Sequence, residues 1–192
     1  MNLFPKNTKK ERVAIYIDGS NFYGYLKNEA IGFPKGVKFD FKSFVDFLVG
    51  DTRECISKRY YTGVFRNLDR SQKSESLVKG QQKFFSKLEN DGFKIKRGRI
   101  MPIGKTYKEK GTDVKIAIDM IIGAVDDIYD TAVLVSSDTD LIPAIQYIKY
   151  KKKKVEYVGF AHAPSLGIQK YVDFSMLLSP RDIEKFKENT LL

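Results

Sequence analysis

Apolar and polar residues fall in alternating blocks along this chain, and the block lengths predict its elements. Residues 13–17 and 132–135 are apolar throughout, as expected of central strands covered on both faces. Residues 58–65 carry Tyr60, Tyr61, Thr62 and Val64, and residues 155–160 form another short apolar run, so both read as strands. Residues 93–99 alternate apolar with basic, the pattern of a half-exposed strand. Helical spacing fills the intervals. Asp40 caps a segment with Phe41, Phe44, Val45 and Leu48 on one side, and residues 71–90 present Leu77, Phe84, Phe85 and Leu88 before Asp91-Gly92 closes them. Residues 112–125 form the most apolar helix and are expected to be central, with Val114, Ala117, Ile118, Ile121 and Ile122 in the core. A further helix is expected over 141–150, and Ser179-Pro180 starts a last one. Strands alternating with helices predict an α/β fold with a mostly parallel central sheet.

Length and charge narrow the picture. At 192 residues the chain is expected to form a single domain. No stretch approaches the roughly 20 apolar residues of a membrane span, and the basic N-terminal residues lack the apolar run of a secretory signal. The single cysteine, Cys55, excludes an internal disulfide, fits a reducing cytoplasm and reads as a small buried hydrophobe. Thirty-four Lys and Arg against 24 Asp and Glu give a net charge of +10. That excess favours a polyanionic partner, nucleic acid ahead of an anionic membrane.

Two acidic signatures directly follow the two most apolar strands: Asp18-Gly19-Ser20-Asn21, and Ser136-Ser137-Asp138-Thr139-Asp140. Ligands of open α/β sheets collect beyond the carboxyl ends of strands, so carboxylates more than a hundred residues apart are expected to converge there. Asp18 is read either as the cap of the next helix or as a ligand. Asp140 is read as a cap that frees Asp138, and the small Ser136 and Ser137 leave room for a ligand. A third acid, Asp113, opens the apolar helix after Lys110-Gly111-Thr112. Asp119, six residues on, is turned roughly 120° away and is expected to be structural or supporting. Three converging carboxylates suit Mg²⁺ or Mn²⁺, which takes hard oxygen ligands and hydrolyses phosphodiesters by activating water. Zinc is disfavoured, since His162 and Cys55 are the only softer ligands. Arg66 and Arg70 follow a strand end, and Lys105, Lys108 and Lys110 lead into Asp113. These five are read as contacts to an RNA backbone or, equally, as solvated loops.

Residues 15–21 (Ile-Tyr-Ile-Asp-Gly-Ser-Asn), 110–114 (Lys-Gly-Thr-Asp-Val) with Ile118-Asp119, and 134–141 (Leu-Val-Ser-Ser-Asp-Thr-Asp-Leu) together resemble the NYN domain, and more narrowly the LabA-like branch of the PIN-like nucleases. The stretch from Ser165-Leu166 to Tyr171-Val172-Asp173-Phe174 agrees. The resemblance spans about residues 12–178, leaving a short basic N-terminal tail and a C-terminal helix outside. It implies a Rossmann-like three-layer α/β/α fold and a Mg²⁺- or Mn²⁺-dependent ribonuclease site. Asp18, Asp113 and Asp138 would be the ligands, with Asn21, Asp140, Asp119 and Ser137 supporting. One departure is Tyr150-Lys151-Lys152-Lys153-Lys154, where the family more often has a Gly in the turn. The competing reading is an RNA-binding or regulatory module of the same fold without turnover. A haloacid-dehalogenase-type phosphatase is disfavoured because Ser20 stands where its second Asp belongs, a Toprim domain because Asp18 replaces its Glu, and a P-loop enzyme because its signature is missing. Homodimerisation is left open.

Overall fold

The computed structural model describes residues 9–29, 31–33, 38–64, 71–103 and 106–188. In chain order these form β1 (Glu11–Asp18), α1 (Gly19–Leu26), α2 (Phe41–Val49), β2 (Arg53–Val64), α3 (Gln72–Asn90), β3 (Lys94–Ile103) and β4 (Thr106–Lys110). There follow α4 (Thr112–Val125), β5 (Thr131–Val135), α5 (Ile142–Tyr150), β6 (Lys154–Phe160), α6 (Leu166–Gln169), β7 (Phe174–Leu178) and α7 (Pro180–Glu184). The strands make one seven-stranded sheet in the order β4-β3-β2-β1-β5-β6-β7. Six are mutually parallel, and only β4, at the edge, runs against its neighbour β3.

Strand β1 divides two cores. Val13, Ile15 and Ile17 face a cluster built with Phe22, Phe41, Phe44, Leu48 and Leu88 from α1, α2 and α3. Ala14 and Tyr16 face Ile116, Met120, Ile145 and Ile148 from α4 and α5. Helices therefore cover both faces, giving the three-layer α/β/α build expected of the sequence. Strands grow outward from β1 in both directions: β2, β3 and β4 to one side, β5, β6 and β7 to the other. The reversal lies between β1 and β5.

The expected helix starts hold. Asp40 caps α2, Ser71 caps α3, and Ser179 with Asp182 closes a capping box on α7. Arg53 finishes α2 by donating to the Leu48 and Val49 carbonyls, and it also pairs with Glu156 at 2.6 Å. Lys152 takes φ of +61° in the turn between α5 and β6, within the lysine run where the resemblance leads one to expect a glycine.

Several expectations change. β2 starts five residues earlier than expected, at Arg53. Residues 106–110, read as a basic loop, are strand β4, and β7 is an additional parallel strand. The largest change is in α4, which meets the sheet through Ile116, Met120, Gly123 and Ala124. At 100° per residue, Val114, Ile118 and Ile122 then lie on the far side and are exposed, not in the core.

At the pole opposite the strand ends, Arg12 binds Asp130 at 2.7 Å and Asp127 at 2.9 Å, and Lys153 joins both. The Arg12 hydrogen bond holds the Asp130 carboxyl well below the usual carboxylate range. The Ser179 hydroxyl and Lys185 hold Asp182 at about 2. A depressed carboxylate contributes stability that is present above the unfolded pKa and lost as pH falls toward the folded one. Thermal stability is therefore expected to stay level from about pH 8 to 5 and to fall progressively below about pH 4. Asp130→Asn, at a partly solvated pair, should lower Tm at pH 7 by about 2–4 °C and flatten that acid limb. Calorimetry across this range checks both.

Candidate active site at the reversal between β1 and β5

The register of the two central strands builds the site. Ile17 pairs with Val135, so Asp18 and Ser136 emerge side by side from neighbouring parallel strands. Ser136 Oγ donates to Asp18 Oδ2 at 2.9 Å, and Asp18 Oδ1 accepts the Asn21 N–H at 3.1 Å. Asp18 thus caps α1 and also ties β1 to β5, and it is only 4 % exposed. Gly19 is required beside it, because a Cβ there would lie 2.4 Å from the Tyr60 ring.

The loop after β5 is held from three sides. Ser136 Oγ accepts the Asp138 N–H at 3.2 Å, and Asn21 Oδ1 accepts the Ser137 N–H at 3.1 Å. The Tyr157 hydroxyl lies 2.7 Å from Ser137 Oγ and accepts the Ser165 N–H at 3.1 Å. Asp138 Oδ1 accepts the Asp140 N–H at 2.9 Å and caps the 3-10 turn Thr139–Leu141. This reverses the expected roles: Asp138 is the cap, and Asp140 sits inside the first turn. Asp138 nonetheless spends only Oδ1 on the cap.

Tyr157 was not anticipated from sequence. Its ring lies back along β6 over Gly159, where a Cβ would come 2.0 Å from the phenol oxygen. A tyrosine two residues before a glycine in a buried strand was the available signal.

Asp113 reaches the same end of the sheet by another route. Val64 pairs with Arg99, and Arg99 with Lys110, so β4 ends level with the carboxyl end of β2. Gly111 turns the chain with φ of +79°, and α4 starts there with Asp113 half-buried in its first turn. Helix α4 also packs on the Thr139–Leu141 turn.

Asp119 lies elsewhere. Tyr61 donates to it at 2.8 Å, with Lys96 at 3.0 Å and Arg59 at 3.4 Å, beneath the sheet on the α4 side. Burial alone would raise its pKa, but the bonds from Lys96 and Tyr61 outweigh burial and lower it. Burial and the bond to Asp119 push the Tyr61 phenol up, so it remains a donor. Cys55 is half-buried with its thiol pKa raised by burial, against a nucleophilic role. His162 packs against Tyr25 and Phe160, with both ring nitrogens buried and without hydrogen bonds.

Asp18, Asn21, Ser136, Ser137, Asp138 and Asp140 are thus one connected network, and the helix bearing Asp113 starts at the same edge. The donors are carboxylate, hydroxyl and amide oxygens, which suits Mg²⁺ or Mn²⁺ in kind. Among the described residues, no three His, Cys, Asp or Glu side chains are already drawn together as a metal cluster. Of the five expected RNA contacts, Arg66, Arg70 and Lys105 lie outside the described residues. Lys108 and Lys110 belong to β4, opposite Met101 and Arg99, and Lys110 is exposed. Arg99, also exposed, adds a cation that the sequence reading did not single out.

The architecture is similar to that of a crystal structure of a protein of unknown function from Vibrio parahaemolyticus. The TM-score is 0.70 at 23% identity, over 95% of this chain and 99% of that one. No curated protein matches the sequence. The model of the NYN domain matches residues 12–175, an interval holding Asp18, Asp113 and Asp138, β1 from its second residue and all of β2 to β6. The chain belongs to the NYN domain family, a family of PIN-like nucleases.

Proposed function

We propose that the chain is a metal-dependent ribonuclease of the LabA-like branch, cutting RNA at the edge that carries Asp18 and Asp138. The observation that supports this most is the Asp18–Ser136–Asp138 network at the strand reversal, where open α/β sheets bind ligands. Asp18, Asp113 and Asp138 would hold Mg²⁺ or Mn²⁺, which supplies water activation and charge stabilisation at phosphorus. Asn21 and Ser136 hold the two strand-end loops in place, and Tyr157 holds Ser137.

Substrate placement follows from the edge of the sheet. Past Arg99, strand β3 continues to Ile103 and, among the described residues, pairs there with β4 alone. A two-stranded ribbon thus overhangs the acidic edge by about 13 Å, four residues at strand rise. Lys108 and Lys110 fall on this ribbon, and the chain returns from it to Asp113. Together with Arg66 and Arg70, these cations would track the phosphates and give salt-sensitive binding of weak sequence preference.

One observation favours a second reading, an RNA-binding module without turnover. Asp18 and Asp138 each commit one oxygen to a helix or turn cap, a task a purely structural carboxylate also performs.

With labelled single-stranded RNA and Mn²⁺ or Mg²⁺, the parent is expected to cleave and EDTA to stop it. Asp138→Asn should lower cleavage by about 100-fold or more while RNA affinity stays or improves. Asp119→Asn should instead cost about 2 kcal/mol of stability and leave cleavage by the folded protein in place. Salt-sensitive binding without cleavage in either metal would establish the module reading.

Tyr157→Phe removes the bond to Ser137 while keeping the packed ring. It should lower cleavage about 10-fold at unchanged RNA affinity, as loss of an orienting contact does. Single-turnover cleavage measured beside equilibrium binding separates the two effects. Lys110→Ala should weaken RNA binding and reduce the slope of log K against log salt by about 1, as titrations between low and moderate salt would record.

A further inference from the structure

Helix α4 is apolar on two opposite sides. Ile116, Met120 and Ala124 are sealed against the sheet, whereas Val114, Ile118, Ile122 and Val125 are 61%, 49%, 47% and 50% exposed. At 100° per residue those four fall within about 80° of arc, a continuous stripe down the helix. Ile128, just past the helix end, is exposed as well. The four side chains present roughly 350 Å² of apolar surface, in the range of the largest patch on a typical monomer, which is often functional.

We propose that two copies of this chain pair through the stripe, α4 against α4, antiparallel about a twofold axis near Met120. An isologous contact requires each residue to meet its counterpart reciprocally, and this stripe meets that requirement. Centring on position 120 sets Ile118 against Ile122 of the second copy and Val114 against the Val125 turn. Lys115 and Asp126 are both exposed, and their spacing places them about 20° apart on the same flank of the stripe. In the antiparallel pair, Lys115 therefore faces Asp126 of the second copy, twice. A parallel pair would instead place this flank of the two copies on opposite sides of the seam, so that Lys115 and Asp126 do not meet, and would align the helix dipoles unfavourably. Lys115 already donates to the Arg97 carbonyl on that flank and retains two further N–H donors. Asp119, nearest along this flank, is neutralised within its own chain by Arg59 and Lys96.

Charge complementarity and reciprocal spacing thus select a second copy as the occupant. The stripe buries about 700 Å² over both copies, below the standard range for stable complexes, so the dimer dissociates on dilution. Because α4 starts at the acidic edge, antiparallel pairing points the two acidic edges away from each other and leaves both open. The pairing does not depend on the nuclease reading.

Sedimentation velocity of the full chain from about 1 to 500 µM tests it. The expected result is a reversible monomer–dimer equilibrium that Ile118→Glu abolishes at every concentration, with the melting temperature nearly unchanged because the residue is exposed. Val125→Lys serves as a second disrupting variant should Ile118→Glu fold poorly. Lys115→Glu and Asp126→Lys should each weaken the dimer at least fivefold, and the two together should restore it. A parent that stays monomeric at the highest concentration overturns the proposal, as does a dimer that survives both stripe variants. Failure of the double reversal to restore pairing overturns the antiparallel register.

Discussion

The hydrogen bond from Ser136 to Asp18 is the contact on which the acidic edge depends, and its position is set far from the edge itself. It exists because Ile17 and Val135 are paired in register, and that register is set by burial on both faces of β1. A slip of one residue would drive Tyr16 into the space of Ile15 and Ile17 and turn the apolar set of one core into the other. Phe22, Phe41 and Phe44 on one face, and Met120 and Ile145 on the other, allow no such exchange. The site is therefore as rigid as the core beneath it. Three further bonds, Asn21 to Ser137, Ser136 to Asp138 and Tyr157 to Ser137, transmit that rigidity to the loop.

The central strands were legible in the sequence for the same reason that they position the site. Fully buried parallel strands read as unbroken apolar runs, and residues 13–17 and 132–135 are such runs. Asp40 and Ser179 were legible as caps because a side-chain acceptor before an apolar periodic segment has few other uses. Strand β4 was not. Its residues, Thr-Tyr-Lys-Glu-Lys, carry no alternation of apolar and polar, and only pairing with β3 makes them a strand. Strand β7 was hidden because it is buried only at Leu178.

Helix α4 misled in an instructive way. Apolar spacing identifies a helix and a buried stripe, but a helix apolar all round does not disclose which stripe meets the sheet. Gly123 and Ala124 mark the inner side, since small residues let the helix approach, and a Cβ at Gly123 would lie 2.5 Å from the Tyr129 ring. The branched residues Val114, Ile118 and Ile122 carry the stronger hydrophobic signal and yet face out. Close approach of backbone to sheet outranked side-chain hydrophobicity in choosing the inner side.

Capping and ion binding are not rival uses of Asp18 and Asp138. A carboxylate has two oxygens, and a cap needs one of them. Asp138 gives Oδ1 to the Asp140 N–H, which fixes its rotamer and so fixes the direction of Oδ2. Asp18 gives Oδ1 to Asn21, and its second oxygen accepts from the Ser136 hydroxyl, a rotor that can turn its proton elsewhere. The caps therefore supply orientation before any ligand arrives, which is the preorganisation that charge stabilisation at a reacting phosphate requires. Asp119 is the contrasting case. Both its oxygens are engaged, by Tyr61, Lys96 and Arg59 within one chain. A carboxylate so neutralised ties α4 to β2 and β3.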